Sequence, residues 1–149
     1  MESLDSVDMR LLKMLNENAR VSLSEMGRDV GLSTSGVRKR VIRLEKTGMI
    51  KSYMAVIDPQ KFGRGILAFV NIEVGPQSMN EVAKTLSRYH EVCELHQTTG
   101  DHSLLAKVRA RDNDSLNKFV NERISSLDSV KSVRTTMAMG TIKEILLNP

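Results

Sequence analysis

The sequence contains one cysteine, Cys93, among its 149 residues. A single thiol cannot form an intrachain disulfide or a multi-cysteine zinc site, so a reducing compartment is the simplest expectation. No segment offers the roughly eighteen uninterrupted apolar residues that a membrane-spanning helix needs. The first residues, Met1 to Asp5, are acidic and lack the basic start and apolar core of a secretion signal. We therefore expect a cytoplasmic protein with no membrane partner.

Signs of catalysis or of a bound cofactor are also scarce. His90, His96 and His102 do not have the spacing of metal ligands, and no glycine-rich phosphate loop is present. The run Asp101-His102-Ser103 contains the residue types of a hydrolase triad, but adjacent residues cannot point at one another as that relay requires. The sequence therefore predicts no enzyme, no metal and no required cofactor.

The net charge of +4 is too small to indicate a polyanionic partner, but the charge is unevenly distributed. Residues 1–32 hold four Lys and Arg against six Asp and Glu, whereas residues 33–51 hold six against Glu45 alone. The basic charge is therefore concentrated in one short segment.

The N-terminal part predicts a series of short helices. Apolar residues with helical spacing follow Asp5 and predict a first helix that ends near Asn18. Ser22 and Glu25 have the spacing of a capping box, in which each side chain satisfies a backbone N–H. They predict a second helix that ends near Val30.

A tight turn then leads into a third helix. Gly31 supplies the backbone freedom that this turn needs, and Ser33 can cap the helix that follows. We expect that helix to run to Thr47 and to end at Gly48, with Gly27 allowing a close helix crossing. Together these features indicate a helix-turn-helix.

The third helix has two different faces. At 100° per residue, Val37, Val41 and Leu44 form a core face, and basic residues lie opposite. Such a helix can enter the major groove of DNA, although a basic face can also be merely solvated, and Arg40 at its edge can form an intramolecular ion pair instead. The predicted DNA-binding residues are Ser33, Thr34, Ser35, Gly36, Arg38, Lys39, Arg43 and Lys46.

A change of pattern marks the end of this first domain. Residues 49–57 are β-like and predict a strand that could form a wing, and turn residues from Asp58 to Gly65 then indicate a linker. We expect a winged helix-turn-helix domain over residues 1–60 and a second domain over residues 61–149.

The second domain alternates strands and helices. Strands are predicted over Ile66–Val74, Val92–Thr98, Leu104–Ala110 and Val133–Met139. One helix is predicted from Ser78, with a capping box to Glu81, and another carries Leu116, Phe119, Val120 and Ile124. The βαββαβ order predicts a ferredoxin-like α+β fold with helices on one face of an antiparallel sheet.

The other face of this sheet also carries apolar residues. Leu67 and Phe69 alternate with the residues that can face the helices, and they are too apolar for a surface left in water. We therefore predict that two copies dimerise sheet to sheet.

Several short motifs resemble the Lrp/AsnC family, also called feast/famine regulatory proteins. They are Leu4-Asp5-x-x-Asp8, Asn18-Ala19-Arg20, Gly31-Leu32-Ser33 and Arg40-Val41-x-x-Leu44-Glu45-x-x-Gly48-Met49-Ile50. The resemblance covers nearly the whole chain. It implies an N-terminal DNA-binding domain and a ferredoxin-like C-terminal domain, called RAM, for oligomerisation and amino-acid sensing.

The resemblance also implies an effector site between RAM domains. It places that site at a Thr-Gly-Asp loop between the second and third strands and at a threonine of the last strand. Family members often carry a second Asp where this chain has Ser103. Physically, Gly-Asp can be a simple turn, or its N–H groups and carboxylate can hold an amino acid. The predicted effector-binding residues are Thr99, Gly100, Asp101, His102, Ser103, Thr135 and Thr136.

The sequence thus predicts a sequence-specific transcriptional regulator modulated by a free amino acid. Its expected partners are double-stranded DNA with a roughly palindromic operator and further copies of itself, as a homodimer that assembles to a tetramer or octamer. One alternative is an architectural protein that compacts DNA without responding to a ligand. Another is a metabolic amino-acid-binding module that does not act through DNA.

Overall fold

The structure, a computed structural model, describes residues 3–145 and residue 147. It divides into two compact units, of which the second runs from Ile57 to Ile142. The first contains the described residues up to Val56 and those from Lys143 onward, which the sequence had placed in the second domain. Asn16 Nδ2 donates to the Leu147 carbonyl at 3.2 Å, a contact at long sequence separation that no local pattern indicates. None of the described helices is long and apolar enough to cross a membrane.

The first unit contains three helices with the predicted bounds. They are α1 (Ser6–Glu17), α2 (Leu23–Val30) and α3 (Thr34–Lys46). The Ser22 hydroxyl accepts the Glu25 N–H at 3.1 Å. Among the described contacts the Glu25 carboxylate accepts no hydrogen bond from the Ser22 N–H, so only half of the predicted capping box forms. Glu25 is exposed, and water can satisfy the remaining helix-end N–H. Leu11, Met26, Val37 and Val41 form the core between the helices.

The segment after α3 differs from the prediction. Among residues 49–57 no strand is present, so the predicted wing is wrong. A strand needs a partner for its backbone groups, and the described part of this unit supplies none beside this segment. Tyr53, Met54, Val56 and Ile57 are exposed, and the Tyr53 hydroxyl donates to Glu45 at 2.8 Å. Burial and this hydrogen bond raise the pKa of Tyr53 to about 12.

The second unit is built on an antiparallel sheet whose strands lie in the order β2-β3-β1-β4. Its described strands are β1 (Ile66–Val74), β2 (Val92–Gln97), β3 (Leu104–Ala110) and β4 (Val130–Met137). β1 and β3 match their predicted bounds, and β2 is one residue shorter. β4 begins earlier than predicted, because Val130 pairs with Val74 beyond a bulge, and it ends at Met137, two residues before the predicted end. The βαββαβ order and the ferredoxin-like α+β fold are confirmed.

Two helices cover one face of this sheet. The 3₁₀ turn Pro76–Ser78 precedes α4 (Met79–Leu86), and α5 (Asn113–Phe119) continues as the π-helical turn Val120–Ile124. The predicted capping box at Ser78 is wrong, since its hydroxyl makes no cap hydrogen bond. Ser78 has φ −102° and ψ 0°, because its own N–H closes the preceding turn, and a capping residue needs extended backbone.

The two faces of β1 have different surroundings. Ala68, Val70, Ile72 and Val74 are buried in the core with the helices, as predicted. On the other face Phe69 is 38% exposed, but Leu67 is only 7% exposed within the chain itself. The chain beyond β4 runs beside Leu67, whose carbonyl accepts the N–H of Ala138 at 2.9 Å. Leu67 is therefore not the open apolar residue that the sequence predicted.

Candidate DNA-binding and ligand-binding sites

The turn between α2 and α3 depends on two glycines. Gly31 has φ +70°, in the left-handed region that favours glycine, and it ends α2. A Cβ at Gly27 would lie 2.6 Å from the Leu32 carbonyl oxygen, so the close approach predicted at Gly27 is to the backbone of the turn. These two positions set the angle at which α3 leaves α2.

The first turn of α3 is made of small, exposed residues. The Ser33 hydroxyl accepts the Gly36 N–H at 3.1 Å and lies 3.0 Å from the Ser35 hydroxyl. Ser33, Thr34 and Ser35 are exposed, and Gly36 is half-buried. The backbone of this turn can therefore approach another molecule closely.

The outer face of α3 carries cations without internal partners. Val37, Val41 and Leu44 are buried on the inner side. Arg38, Lys39 and Lys46 are exposed on the outer side, and within the described chain none of these three forms an ion pair. Their charges are available to an anionic partner.

An apolar residue lies among these cations. Ile42 is 40% exposed, and at 100° per residue it falls near the middle of the outer face, close to the direction of Ser35. Ile42 is not among the predicted DNA-binding residues, although the same helical spacing places it on this face. An exposed β-branched side chain on such a face can contact a thymine methyl group.

Two further arginines of α3 have acidic partners on α1. Arg40 Nη1 donates to Asp5 Oδ2 at 2.7 Å and to Asp8 Oδ1 at 2.8 Å, which confirms the ion-pair alternative for Arg40. Arg43 Nη2 donates to the other oxygen of Asp8, although the sequence predicted Arg43 only as a DNA contact. Hydrogen bonds to Asp5 and Asp8 raise the pKa of Arg40. The Asp8 N–H and Arg40 lower the pKa of Asp5.

The loop between β2 and β3 is a closed turn. The Thr98 N–H donates to the Ser103 carbonyl at 3.0 Å, and the Thr98 hydroxyl donates to the His102 carbonyl at 2.7 Å. Gly100 has φ +105°, a conformation that L side chains rarely adopt. Thr99, Gly100 and Asp101 are exposed at the tip, and His102 is half-buried.

Ser103 has a structural role in this loop. Its hydroxyl donates to the Val74 carbonyl at 2.9 Å and accepts the Val74 N–H at 3.2 Å, so it ties the loop to the end of β1. The hydroxyl is not directed at His102, and Asp101-His102-Ser103 does not form a catalytic relay. Ser103 was predicted to bind the effector, but in the structure its hydroxyl is hydrogen-bonded to the backbone of Val74.

The predicted threonines lie elsewhere on the sheet. Thr135 and Thr136 are exposed on β4 and pair with Val70 and Phe69 of β1. Ser103 directly precedes β3, which pairs with the other edge of β1 from β4. With about 3.3 Å per residue and about 4.8 Å per strand, Thr135 and Ser103 lie roughly 14 Å apart in backbone position. One copy of the chain therefore does not bring the seven predicted effector residues together.

The histidines form ordinary surface contacts. His90 Nε2 lies 3.3 Å from Glu91, and His96 Nε2 lies 3.3 Å from Glu94. Hydrogen bonds from Lys107 and, less strongly, His96 lower the pKa of Glu94. The described residues include no group of three or more His, Cys, Asp or Glu side chains that could hold a metal ion.

A helix-turn-helix with a cationic outer face and a separate ferredoxin-like unit together define a two-domain transcriptional regulator. Comparison with known families agrees. Residues 4–45 match the AsnC-type helix-turn-helix domain, and residues 67–146 match the Lrp/AsnC ligand binding domain. The chain belongs to the Lrp/AsnC family, and it is a regulator with a DNA-binding domain and a ligand-binding domain.

Similar proteins match nearly the whole chain. It is 36% identical to an HTH-type transcriptional regulator of Methanocaldococcus jannaschii, over 95% of each chain. It is 33% identical to the HTH-type transcriptional regulator FL11 of Pyrococcus horikoshii, over 95% of this chain and 93% of that one. A transcriptional regulator from Neisseria meningitidis, solved in complex with L-Met, is 25% identical with a TM-score of 0.92, over 97% of this chain and 95% of that one.

Proposed function

We propose that this chain is a sequence-specific transcriptional regulator that binds a roughly palindromic DNA operator as a homodimer and responds to a free amino acid. A single observation carries the DNA-binding part, namely the exposed cations on the outer face of α3 behind a first turn of small residues. The chain acts where chromosomal DNA lies, which agrees with the cytoplasmic location expected from the sequence.

The proposed contacts divide by position on α3. Ser33, Thr34, Ser35 and Gly36 approach the base edges, because the N-terminal end of a recognition helix enters the major groove. Arg38, Lys39 and Lys46 contact phosphates or guanine. Arg43 retains N–H groups beyond the one that Asp8 accepts, and its side chain is 45% exposed, so it can contact a phosphate while paired.

The experiment replaces two outer cations, Arg38→Ala with Lys39→Ala. Binding is measured by fluorescence anisotropy over a range of salt concentrations, on a duplex selected from random sequences by the wild-type chain. We expect weaker binding and a salt slope reduced by about 0.9 for each lost phosphate contact. Lys13→Ala with Arg20→Ala is the matched control, since it removes two exposed cations elsewhere in the same unit. An equal loss of DNA affinity in the two double variants would contradict the proposal.

The exposed apolar side chain of Phe69 supports dimerisation through the open sheet face. Phe69 is exposed at the centre of that face, beside Thr136 of β4. A twofold dimer carries two α3 helices, which read half-sites one DNA turn or a multiple of it apart, about 34 Å for one turn. Further assembly to a tetramer or octamer remains a prediction.

Two observations support binding of an amino-acid effector, namely the chemistry of the loop between β2 and β3 and a ligand found in a similar protein. Exposed N–H groups at the Gly100 turn can hold a carboxylate, and the exposed Asp101 carboxylate can accept from an ammonium group. The Neisseria meningitidis regulator of the same fold was solved with L-Met. Because Thr135 and Thr136 lie away from the loop in one copy, a site using both sets has to span two copies.

A thermal-shift screen of the twenty amino acids tests this part. A ligand that binds only the native form raises the unfolding temperature, and we expect at least one amino acid to do so. Asp101→Asn should abolish that rise, whereas Asp128→Asn, an exposed acid of another loop, should keep it. A flat screen, together with equal affinity for selected and random DNA, would favour the architectural alternative.

A further inference from the structure

Asp8 is unusual among the charged residues of this protein. Within the described part of the chain it is the only charged side chain that is buried, with 1% of its surface exposed. Its carboxylate accepts from Arg40 Nη1, from Arg43 Nη2 and from the Asp5 N–H. A buried carboxylate is stable only when it is paired and hydrogen-bonded, and this one meets both requirements.

Asp5 extends the same network. It caps α1 by accepting the Asp8 N–H at 2.8 Å, and its second oxygen accepts Arg40 Nη1 at 2.7 Å. The two carboxylates at the start of α1 are thus joined to two arginines of α3.

The location of these arginines on α3 gives the network a consequence for DNA binding. Arg40 and Arg43 are three residues apart, so they share one flank of the helix, between the buried face and the outer face of Arg38, Lys39 and Lys46. The N-terminal end of α1 carries partial positive charge, which would repel both arginines if the acids were absent. Asp5 and Asp8 turn that repulsion into attraction.

We propose that Asp5 and Asp8 are positioning residues for sequence-specific recognition. They fix the rotation of α3 through Arg40 and Arg43, and they withhold charge that would otherwise strengthen contacts to phosphates of any sequence. This inference rests on the proposed function of α3. Asp5 and Asp8 lie at the start of α1 and not on the outer face of α3. Through the two arginines they control the ratio of specific to non-specific DNA binding.

The experiment compares Asp8→Asn with the wild-type chain on a selected duplex and on a random duplex of equal length. We expect affinity for the selected duplex to fall and affinity for the random duplex to hold or rise, so that their ratio drops by about tenfold, as for a lost base contact. The salt slope on random DNA should steepen, because Arg43 no longer held by Asp8 can reach phosphates that its paired position does not offer, and each added phosphate contact adds about 0.9. If the role of Asp8 were purely structural, Asp8→Asn would lower the affinity for both duplexes by the same factor.

Two further variants keep this test decisive. Asp5→Asn retains an equally good helix cap but loses one of the two charges that hold Arg40, so it should fold and show a smaller fall in the same ratio. Asp29→Asn is the control. Asp29 pairs with Arg10 at 2.6 Å, and this ion pair joins α1 to α2 and does not involve α3. This variant should discriminate as the wild type does.

The outcomes separate this inference from the function on which it rests. If the wild type discriminates and folded Asp5→Asn and Asp8→Asn discriminate equally well, the inference alone is overturned. The same holds if both variants lose affinity for both duplexes in proportion, or if Asp8→Asn fails to fold and Asp5→Asn keeps the wild-type ratio. A wild-type chain without sequence preference overturns the proposed function and the inference together.

Discussion

The hydroxyl of Ser103 and the backbone of Val74 exchange two hydrogen bonds, one donated at 2.9 Å and one accepted at 3.2 Å. The contact joins the loop after β2 to the end of β1, where β3 has not yet begun to pair. The exposed tip of the loop, with Gly100 and Asp101, is therefore held in place by a residue that itself faces the protein.

Ser103→Ala should destabilise the second unit. It leaves a partly buried N–H and carbonyl of Val74 without this partner, which costs about 1–3 kcal/mol. Ser103→Asp should cost more, because an ionised carboxylate accepts the N–H but cannot donate to the carbonyl. Urea unfolding measures both, with Thr99→Ala at the exposed tip as the control. An unchanged midpoint in Ser103→Ala would show that water replaces the hydroxyl.

Gly27→Ala should destabilise the helix-turn-helix although alanine favours helices. The added Cβ would lie 2.6 Å from the backbone oxygen of Leu32, and such overpacking costs about 1–3 kcal/mol. Thermal unfolding followed by circular dichroism measures the effect. Ser24→Ala, on the exposed side of the same helix, is the control and should be neutral or slightly stabilising. A Gly27→Ala chain as stable as wild type would mean that the turn moves freely.

Asp112→Asn should reduce the loss of stability in acid. Hydrogen bonds from the Ser115 side chain and N–H, and the Arg111 side chain, hold the pKa of Asp112 well below its usual range. A lowered folded pKa stabilises the native state above the unfolded pKa, about 3.9, and this stability is lost as pH falls through the folded value. Asparagine caps the helix as well but does not titrate.

The measurement for Asp112 is the urea midpoint between pH 7 and pH 2. The variant should be slightly less stable at pH 7 and should lose less stability below about pH 4. Asp114→Asn removes the same charge from an exposed position on α5 and leaves the cap in place. Parallel acid profiles for wild type and Asp112→Asn would contradict the prediction.

Phe69→Lys should weaken self-association. The side chain lies on the open face of the sheet, and a charge there opposes its burial against a second copy. Sedimentation velocity should show a shift from dimer toward monomer. Asn121→Lys, exposed on the helix layer, is the control and should sediment as the wild type does. A Phe69→Lys chain that remains dimeric would place the interface on another surface.

Local patterns predicted the elements whose stability is local. The helices of the first unit begin at Asp5, Ser22 and Ser33, where a short polar side chain caps backbone N–H groups a few residues away. The alternation in Ile66–Val74 likewise predicted a strand with one buried face, because successive side chains point to opposite sides. The outer face of α3 followed from helical spacing in the same way.

The predictions that failed concern partners distant in sequence. Residues 49–57 have strand-forming side chains, but a strand exists only where another strand meets it. Leu67 alternates with buried residues, yet chain beyond β4 lies beside it. Arg43 has the spacing of a DNA contact, and only the packing of α1 against α3 brings Asp8 to it.

The loop between β2 and β3 shows the same division. The sequence by itself determined that the chain turns at Gly100, because few other residues adopt a positive φ there. It also determined which side of α3 is basic and which is apolar. Only the tertiary structure decided that Ser103 ties the loop to Val74, that Thr135 lies on the other side of β1, and that Asp8 holds two arginines of α3. Capping, turning and alternation act between near neighbours, whereas these contacts depend on how separate elements pack.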